Sequence, residues 1–300
     1  MELDPNIKPA ATLVLLRPAE APGGAFEVLL MRRHGQSGFM GGVHVFPGGK
    51  VDPSDCDERY LGRCAPFDWN AAAERFREPV AFVRGHYIAL LRETFEEAGT
   101  LLASKAGDAA GLLALDAPEA RERFEAYRKQ LNAAHEAAAF FDMLQAEDLR
   151  LRPDLVVYFD HWITPEMEKR RFNTRFFAAV APASQSPTCD DREMTEWRWI
   201  TPEAAIRAFE SEEIRLAPPT FVTLLRMAGK ARPGEVLEGL ARRAVETNQP
   251  RPKALGGKMA LLLPGHPEYG EQIGKAVTLT GDTPVAMTLE AGGRWRVVES

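Results

Sequence analysis

The chain has 300 residues, 45% of them hydrophobic and 27% charged, an ordinary balance for a globular protein of one long or two small domains. Its formal net charge of -6 leaves no basic excess to neutralise a nucleic-acid backbone, whereas one small phosphorylated ligand needs only local cations or a metal. Cys56, Cys64 and Cys189 form no C-x-x-C pair, the opening MELDPNIKPAATLVLLRPAE has one short apolar run, and the final VVES matches no retention or peroxisomal address. The expectation is a cytoplasmic protein without a disulfide framework, zinc site, signal peptide or membrane span.

In chain order, Ala11 to Leu16 and Phe26 to Arg32 read as strands on either side of the turn-rich Ala21 to Gly24 stretch. A Gly-rich segment runs from Gly35 to Gly49 and holds a short strand signal at Val43 to Phe46. Ala71 to Arg77 reads as a helix. A longer one follows Pro79 and ends at Gly99, with Tyr87, Leu91, Phe95 and Ala98 as its buried stripe. The Ala-, Glu- and Arg-rich stretch from Ala117 to Glu147 has helical propensity.

Strands are then expected at Val156 to Ile163, Arg175 to Val180 and Glu193 to Ile200. Thr201-Pro202-Glu203 opens a helix with a hydroxyl cap and a first-turn proline. Further helices are expected at Pro218 to Met227 and Glu235 to Val245. Beyond Asn248 the chain turns Gly- and Pro-rich, with strand runs at Met259 to Leu263, Ala276 to Leu279 and Trp295 to Val298. Strands with intervening helices predict an α/β layered core.

The chemistry concentrates in Arg92-Glu93-Thr94-Phe95-Glu96-Glu97-Ala98-Gly99. On a helix, Glu93, Glu96 and Glu97 fall at offsets 0, 3 and 4 and share one face. Such an array repels itself, and a hard divalent cation reverses the penalty; the bland reading is a solvated acidic face. Upstream stands Phe46-Pro47-Gly48-Gly49-Lys50-Val51-Asp52, whose paired glycines let backbone amides approach a phosphate or simply form a turn.

Together the two segments resemble the Nudix box, G-x5-E-x7-R-E-U-x-E-E-x-G-U with U aliphatic. Gly49 matches the first Gly, and Arg92, Glu93, Glu96, Glu97 and Gly99 match the helical half. Asp55 sits where the box has its first Glu, Thr94 and Thr100 occupy the U positions, and residues 56 to 91 stand where the box has seven. That split, with Leu30-Met31-Arg32-Arg33, the Gly38 to Gly49 run, Trp162-Ile163-Thr164-Pro165, Arg171 to Phe177, Glu196 to Pro202 and Pro218-Pro219-Thr220, resembles the Nudix branch containing the peroxisomal coenzyme A diphosphatases. The resemblance covers roughly residues 10 to 228.

It implies a Nudix α/β/α sandwich with a mixed sheet. The Nudix domain would span 1–248, carrying an insertion within the box at 56–91 and a helical insertion at about 103–152. Residues 249–300 would form a β-rich extension that caps the cleft, makes a dimer edge or packs as an appendage. The implied activity is Mg²⁺- or Mn²⁺-dependent hydrolysis of coenzyme A or acyl-CoA to 3′,5′-ADP and a 4′-phosphopantetheine. Glu93, Glu96, Glu97 and the Gly49 carbonyl would hold metal, one Glu serving instead as base, with Arg92 positioning a carboxylate.

Glu193 and Glu196 are candidates for one more acid, and Glu196 reads equally as a surface partner of an Arg. Arg32, Arg33, Gly48, Arg171 and Arg175 are candidate substrate-binding residues, the arginines competing with a reading as solvated strand ends. His44 reads either as a core-edge histidine or as a catalytic one, and the aromatic residues of the 172–177 and 195–200 segments read mainly as core. The implied partner is a small nucleotide substrate, with no nucleic acid and no membrane; a homodimer is compatible. Two other readings stay open: hydrolysis of another nucleoside diphosphate derivative such as ADP-ribose or NADH, and a non-catalytic nucleotide-sensing Nudix domain.

Overall fold

The structure, a computed structural model, describes residues 7–20, 25–36, 40–108, 111–134, 138–190, 192–255, 257–270, 284, 286–290 and 294–298. Four strands come first: β1 (Ile7–Pro18), β2 (Phe26–Arg33), β3 (His44–Val45) and β4 (Gly48–Lys50). Two 3-10 turns, at Pro53–Cys56 and Glu58–Arg63, lead to helix α1 (Trp69–Phe76) and the long α2 (Val80–Ala98). Then come β5 (Ala103–Lys105), α3 (Pro118–Ala134), α4 (Ala138–Ala146), β6 (Leu149–Leu151), β7 (Val157–Ile163), β8 (Arg171–Val180) and β9 (Met194–Ile200). Helices α5 (Pro202–Glu210), α6 (Pro218–Met227) and α7 (Pro233–Arg242) follow, then β10 (Thr247–Asn248) and four strands, β11 (Arg251–Leu255), β12 (Lys258–Leu262), β13 (Ala286–Glu290) and β14 (Arg294–Val297).

The main sheet runs β10-β7-β8-β1-β2-β3, with β4 also on β1 and β9 also on β2. It is mixed: β1 pairs parallel with β8 and antiparallel with β2 and β4. Side-chain alternation gives the strands two buried faces. Leu13, Leu15, Leu29 and Met31 join the core under α1 to α4, while Val14, Leu16, Val28 and Leu30 join the core under α5 to α7. Continuous apolar runs at 13–16 and 28–31 are therefore what a two-sided sheet requires. The result is the expected α/β/α sandwich.

One detail of the sheet positions the site. β1 and β2 pair only from Leu16↔Val28 to Pro18↔Phe26. They then part, and β3 continues on β2 while β4 takes Ala10 to Thr12 of β1. The glycine segment is held in this split.

Residues 56–79 include the buried Tyr60, Cys64, Ala72 and Phe76, and Arg84 donates to the Cys56 carbonyl at 2.6 and 3.2 Å. No residue from 56 to 79 lines the cleft described below, so the box insertion serves the core under α2 rather than a substrate-facing wall. The ladder of β5 on β6, Ala103↔Leu151 to Lys105↔Leu149, closes the base of the helical segment between them.

The helix-prone stretch Ala117–Glu147 forms the two helices α3 and α4 in the described residues. The C-terminal β11-β12-β13-β14 sheet puts Leu263 and Met287, with Trp295 and Val297, against the α5–α7 core. The expected strand at Ala276 to Leu279 lies outside the described residues, as do Ala21 to Gly24 and, within the glycine segment, Ser37, Gly38 and Phe39. No described helix is long and apolar enough to cross a membrane.

Candidate active site

Helix α2 carries the carboxylates. Gly99 ends it in the left-handed conformation (φ 65°), and its amide donates to the Phe95 carbonyl at 2.9 Å. The C-terminal turn is further held by Arg128 of α3, a side chain only 1% exposed. Its guanidinium donates to the carbonyls of Glu96 (2.7 Å) and Glu97 (2.6 Å), and to the Thr188 hydroxyl and carbonyl. Those carbonyls have no intrahelical donor, so Arg128 satisfies the end of the helix that presents the acids.

Arg92 organises the acids themselves. It donates to both oxygens of the fully buried Asp55 at 2.9 Å, to Glu93 and Glu96 at 3.0 Å, and to the Lys50 carbonyl at 3.1 Å. A guanidinium is the one side chain whose planar fork reaches a carboxylate bidentately and still has donors for three further acceptors. Asp55 also accepts the Asp52 amide at 2.8 Å, which closes the 3-10 turn after β4. Asp in place of Glu thus keeps the ion pair with Arg92, delivered from a tight turn.

Glu97 is turned the other way and accepts the Gly48 amide at 2.8 Å. Gly48 has φ +150°, and a Cβ there would stand 2.3 Å from the Ala11 carbonyl oxygen, so only glycine fits. A Cβ on Gly49 would stand 2.3 Å from the Glu93 carboxylate. The glycine pair is therefore a cradle in which two helix carboxylates lie against bare backbone.

Burial pushes the Glu93 carboxyl up to about 7, opposed by the Arg92 charge. Burial and then the Glu93 charge push Glu97 well above the usual carboxylate range, and burial raises Glu96 against the pull of Arg92. Three acids, Asp55, Glu93 and Glu96, share the Arg92 guanidinium, and Glu97 stands beside them on a backbone amide. That surplus of buried negative charge, with oxygen donors at a glycine cradle, fits a hard divalent cation. No three acidic, histidine or cysteine side chains among the described residues already converge as a closed cage.

Of the helix carboxylates, Glu93 lines a cleft of about 1100 Å³, together with Gly48, Gly49, Arg33, Glu193 and Arg171. Arg33 reaches it through a register shift in the β2–β9 ladder at Arg32/Arg33. Its guanidinium lies 3.9 Å from Glu193, whose charge is felt by both Glu96 and Glu97.

Four of the sequence's site candidates end up elsewhere. Arg32 does not line the cleft and faces Glu196 at 3.8 Å. Glu196 is held by Arg198 at 2.6 Å and does not line the cleft, which makes it the partner of an arginine rather than a further acid there. Arg175 is buried, donating to the Tyr158 hydroxyl (2.8 Å) and Glu78 (3.2 Å) beside Phe76, because its neighbours Phe172 and Thr174 alternate onto the cleft side of β8. His44 is buried with neither ring nitrogen hydrogen-bonded, and burial lowers it to about 4; the cleft takes its neighbours Val45 and Phe46 instead. Among the aromatic residues read as core, Phe176 and Phe177 are buried, whereas Trp197 is exposed and Phe172 lines the cleft.

Residues 71–227 match the family described as the NUDT19 Nudix domain. The chain belongs to this family. It is 31% identical over 268 residues to the acyl-coenzyme A diphosphatase NUDT19 of Homo sapiens, across 75% of this chain and 68% of that one. To the Gallus gallus protein of the same name it is 29% identical over 307 residues, covering 89% and 80%. To that of Xenopus laevis it is 28% identical over 250 residues, covering 74% of this chain and 64% of the relative. Among solved structures it is similar to a NUDIX hydrolase from Alicyclobacillus acidocaldarius, with a TM-score of 0.61 and 25% identity over 78% of this chain and 97% of that one. The NUDT19 Nudix match begins within α1, and the structure adds to it the β1–β4 unit that carries the glycine cradle and Asp55.

Proposed function

We propose that the chain hydrolyses the diphosphate bond of coenzyme A or an acyl-CoA. Water is added across the P–O–P bridge, releasing 3′,5′-ADP and a 4′-phosphopantetheine. The observation that carries the reading is Glu97 and Glu93 set against Gly48 and Gly49, with Glu93 and both glycines lining a large cleft, in a chain of the NUDT19 Nudix family. The similarity to proteins named acyl-coenzyme A diphosphatases supports the substrate.

Glu93, Glu96 and Glu97, with the Gly49 carbonyl, would hold Mg²⁺ or Mn²⁺. When bound, that ion supplies neutralisation of the diphosphate charge and acidifies water. Arg92, fixed by Asp55, keeps Glu93 and Glu96 in position. The Gly48 amide orients Glu97, Arg33 and Arg171 face the phosphates from the cleft walls, and Glu193 is the further acid. Three free cysteines accord with a cytoplasmic setting.

The reading is tested by mass spectrometry of products after incubation with Mg²⁺ and a panel of CoA, acyl-CoA, ADP-ribose and NADH. Preferential release of 3′,5′-ADP from CoA or acyl-CoA is expected. Preferential cleavage of ADP-ribose or NADH would replace the substrate, and no cleavage of any of them would favour a nucleotide-sensing domain.

Metal dependence also has a pH signature. The Glu93 carboxyl is raised to about 7 in the folded, metal-free protein, above its unfolded value. Its stabilising contribution therefore belongs to the protonated form; it is complete at acid pH and lost as pH rises through about 7. A cation binds the deprotonated form and opposes that loss. The rise in Tm on adding Mg²⁺ should be larger at pH 8 than at pH 6, as read by thermal scans. A rise independent of pH would contradict the assignment of the buried acids as ligands.

A further inference from the structure

We propose that the cleft holds, beyond the glycine cradle, a subsite for a second phosphate, a phosphomonoester on the nucleotide half of the substrate, held by Lys8, Lys169 and Arg170 with Lys50 on the cradle side. The inference rests on the coenzyme A reading for the phosphate it names, the 3′-phosphate, and assigns it to residues other than those the box matches.

The sheet places these cations together. Lys8, Ala10 and Thr12 alternate on β1 and all line the cleft. Lys50 of β4 stands opposite Ala10, and Phe172 of β8 stands opposite Lys8. Lys169 and Arg170 come from the turn that joins β7 to β8 and line the same space. Among the described residues, none of the four side chains is engaged in an ion pair or hydrogen bond.

Arg92 is consumed by Asp55, Glu93 and Glu96, and Arg171 already donates to the Thr164 carbonyl. Glu166 and Glu168 share the rim and leave the cations in excess. Uncommitted like charges gathered in one concavity repel one another and concentrate anions.

Position separates this cluster from the diphosphate grip. Gly48 pairs with Thr12, and Lys8 lies four residues further along β1, roughly 13 Å at the rise of a strand. A diphosphate beside Glu93 and Gly48 does not span that distance, whereas a nucleotide carrying a second phosphate on its ribose does. Ala10 and Phe172 floor the interval, offering a small residue and a ring edge to the nucleoside. Arg32 faces Glu196 and does not line the cleft.

The test compares adenosine 3′,5′-bisphosphate with adenosine 5′-monophosphate by calorimetry on the full chain, in the wild type, in Lys8→Ala/Lys50→Ala and in Lys169→Ala/Arg170→Ala. All four positions are on the surface, so native circular dichroism and Tm serve as the folding check. Each pair removed should weaken the bisphosphate on the order of tenfold, with little change for the monophosphate. The preference for CoA over 3′-dephospho-CoA in kcat/KM should fall by a similar factor. Equal weakening of both nucleotides, or of neither, overturns the subsite. Lysine-dependent bisphosphate binding without CoA cleavage keeps the subsite and removes the proposed substrate; CoA cleavage with lysine-independent bisphosphate binding does the reverse.

Discussion

Glu97→Gln is expected to lower kcat on the order of 10²- to 10⁴-fold while the protein stays folded. The amide is isosteric and can still accept the Gly48 N–H through its carbonyl oxygen, so the glycine cradle survives. What is lost is an anionic oxygen, and with it either a ligand charge or a base. Because the native carboxyl is pushed up by burial and by Glu93, the neutral amide also relieves repulsion in the metal-free protein. A steady-state assay and a thermal scan should therefore diverge: activity collapses while the metal-free Tm holds or rises. An enzyme of normal kcat would remove Glu97 from the machinery.

Asp55→Ala is expected to do the opposite, unfolding the protein more easily by about 3–5 kcal/mol. It strips the bidentate partner from Arg92, whose own side chain is 5% exposed, and leaves the guanidinium buried with too few acceptors. It also removes the acceptor of the Asp52 amide and loosens the turn after β4. Urea denaturation reads the loss directly. Arg92→Met added to Asp55→Ala should recover part of it, because the orphaned charge then leaves together with its partner. A single variant within about 0.5 kcal/mol of the wild type would show that the pair does not hold the box together.

The parts of the molecule legible in the sequence are those whose signals are local and periodic. The α2 stripe, its Gly99 stop, the apolar runs of β1 and β2, and the Thr201 cap of α5 are each written in a few adjacent residues. Pro218–Met227 stands as expected from end to end. Gly48–Lys50 was not legible as a strand, since Gly-Gly-Lys has no β preference; β1 imposes the extension by offering an edge where β2 leaves it. β5, β6, β10, β11 and β13 escaped for a related reason, being short strands fixed by their pairing partners.

Arg33 and Arg175 show the same limit at the level of side chains. Direction on a strand follows alternation, but the register shift beside Arg33 and the two-sided burial of β8 decide which of two neighbouring residues meets the cleft. The cation cluster was invisible because Lys8, Lys50 and Lys169 are far apart in the chain and unremarkable alone. Asp55 could be found, given the box spacing; Arg128 could not, since nothing in an Arg on an Ala- and Glu-rich helix distinguishes a clamp from a solvated charge.

That clamp changes how the 103–152 segment is to be regarded. A helical insertion between two short paired strands looks like cargo that could be trimmed without touching chemistry. Arg128 makes it the far bearing of the shaft on which Glu96 and Glu97 are mounted, with Thr188 as the third fixed point. A tilt of α3 is transmitted to the acids through rigid, fully used hydrogen bonds and no intervening loop. The segment is thus a handle on the catalytic geometry, and minimal versions of this enzyme will have to keep it.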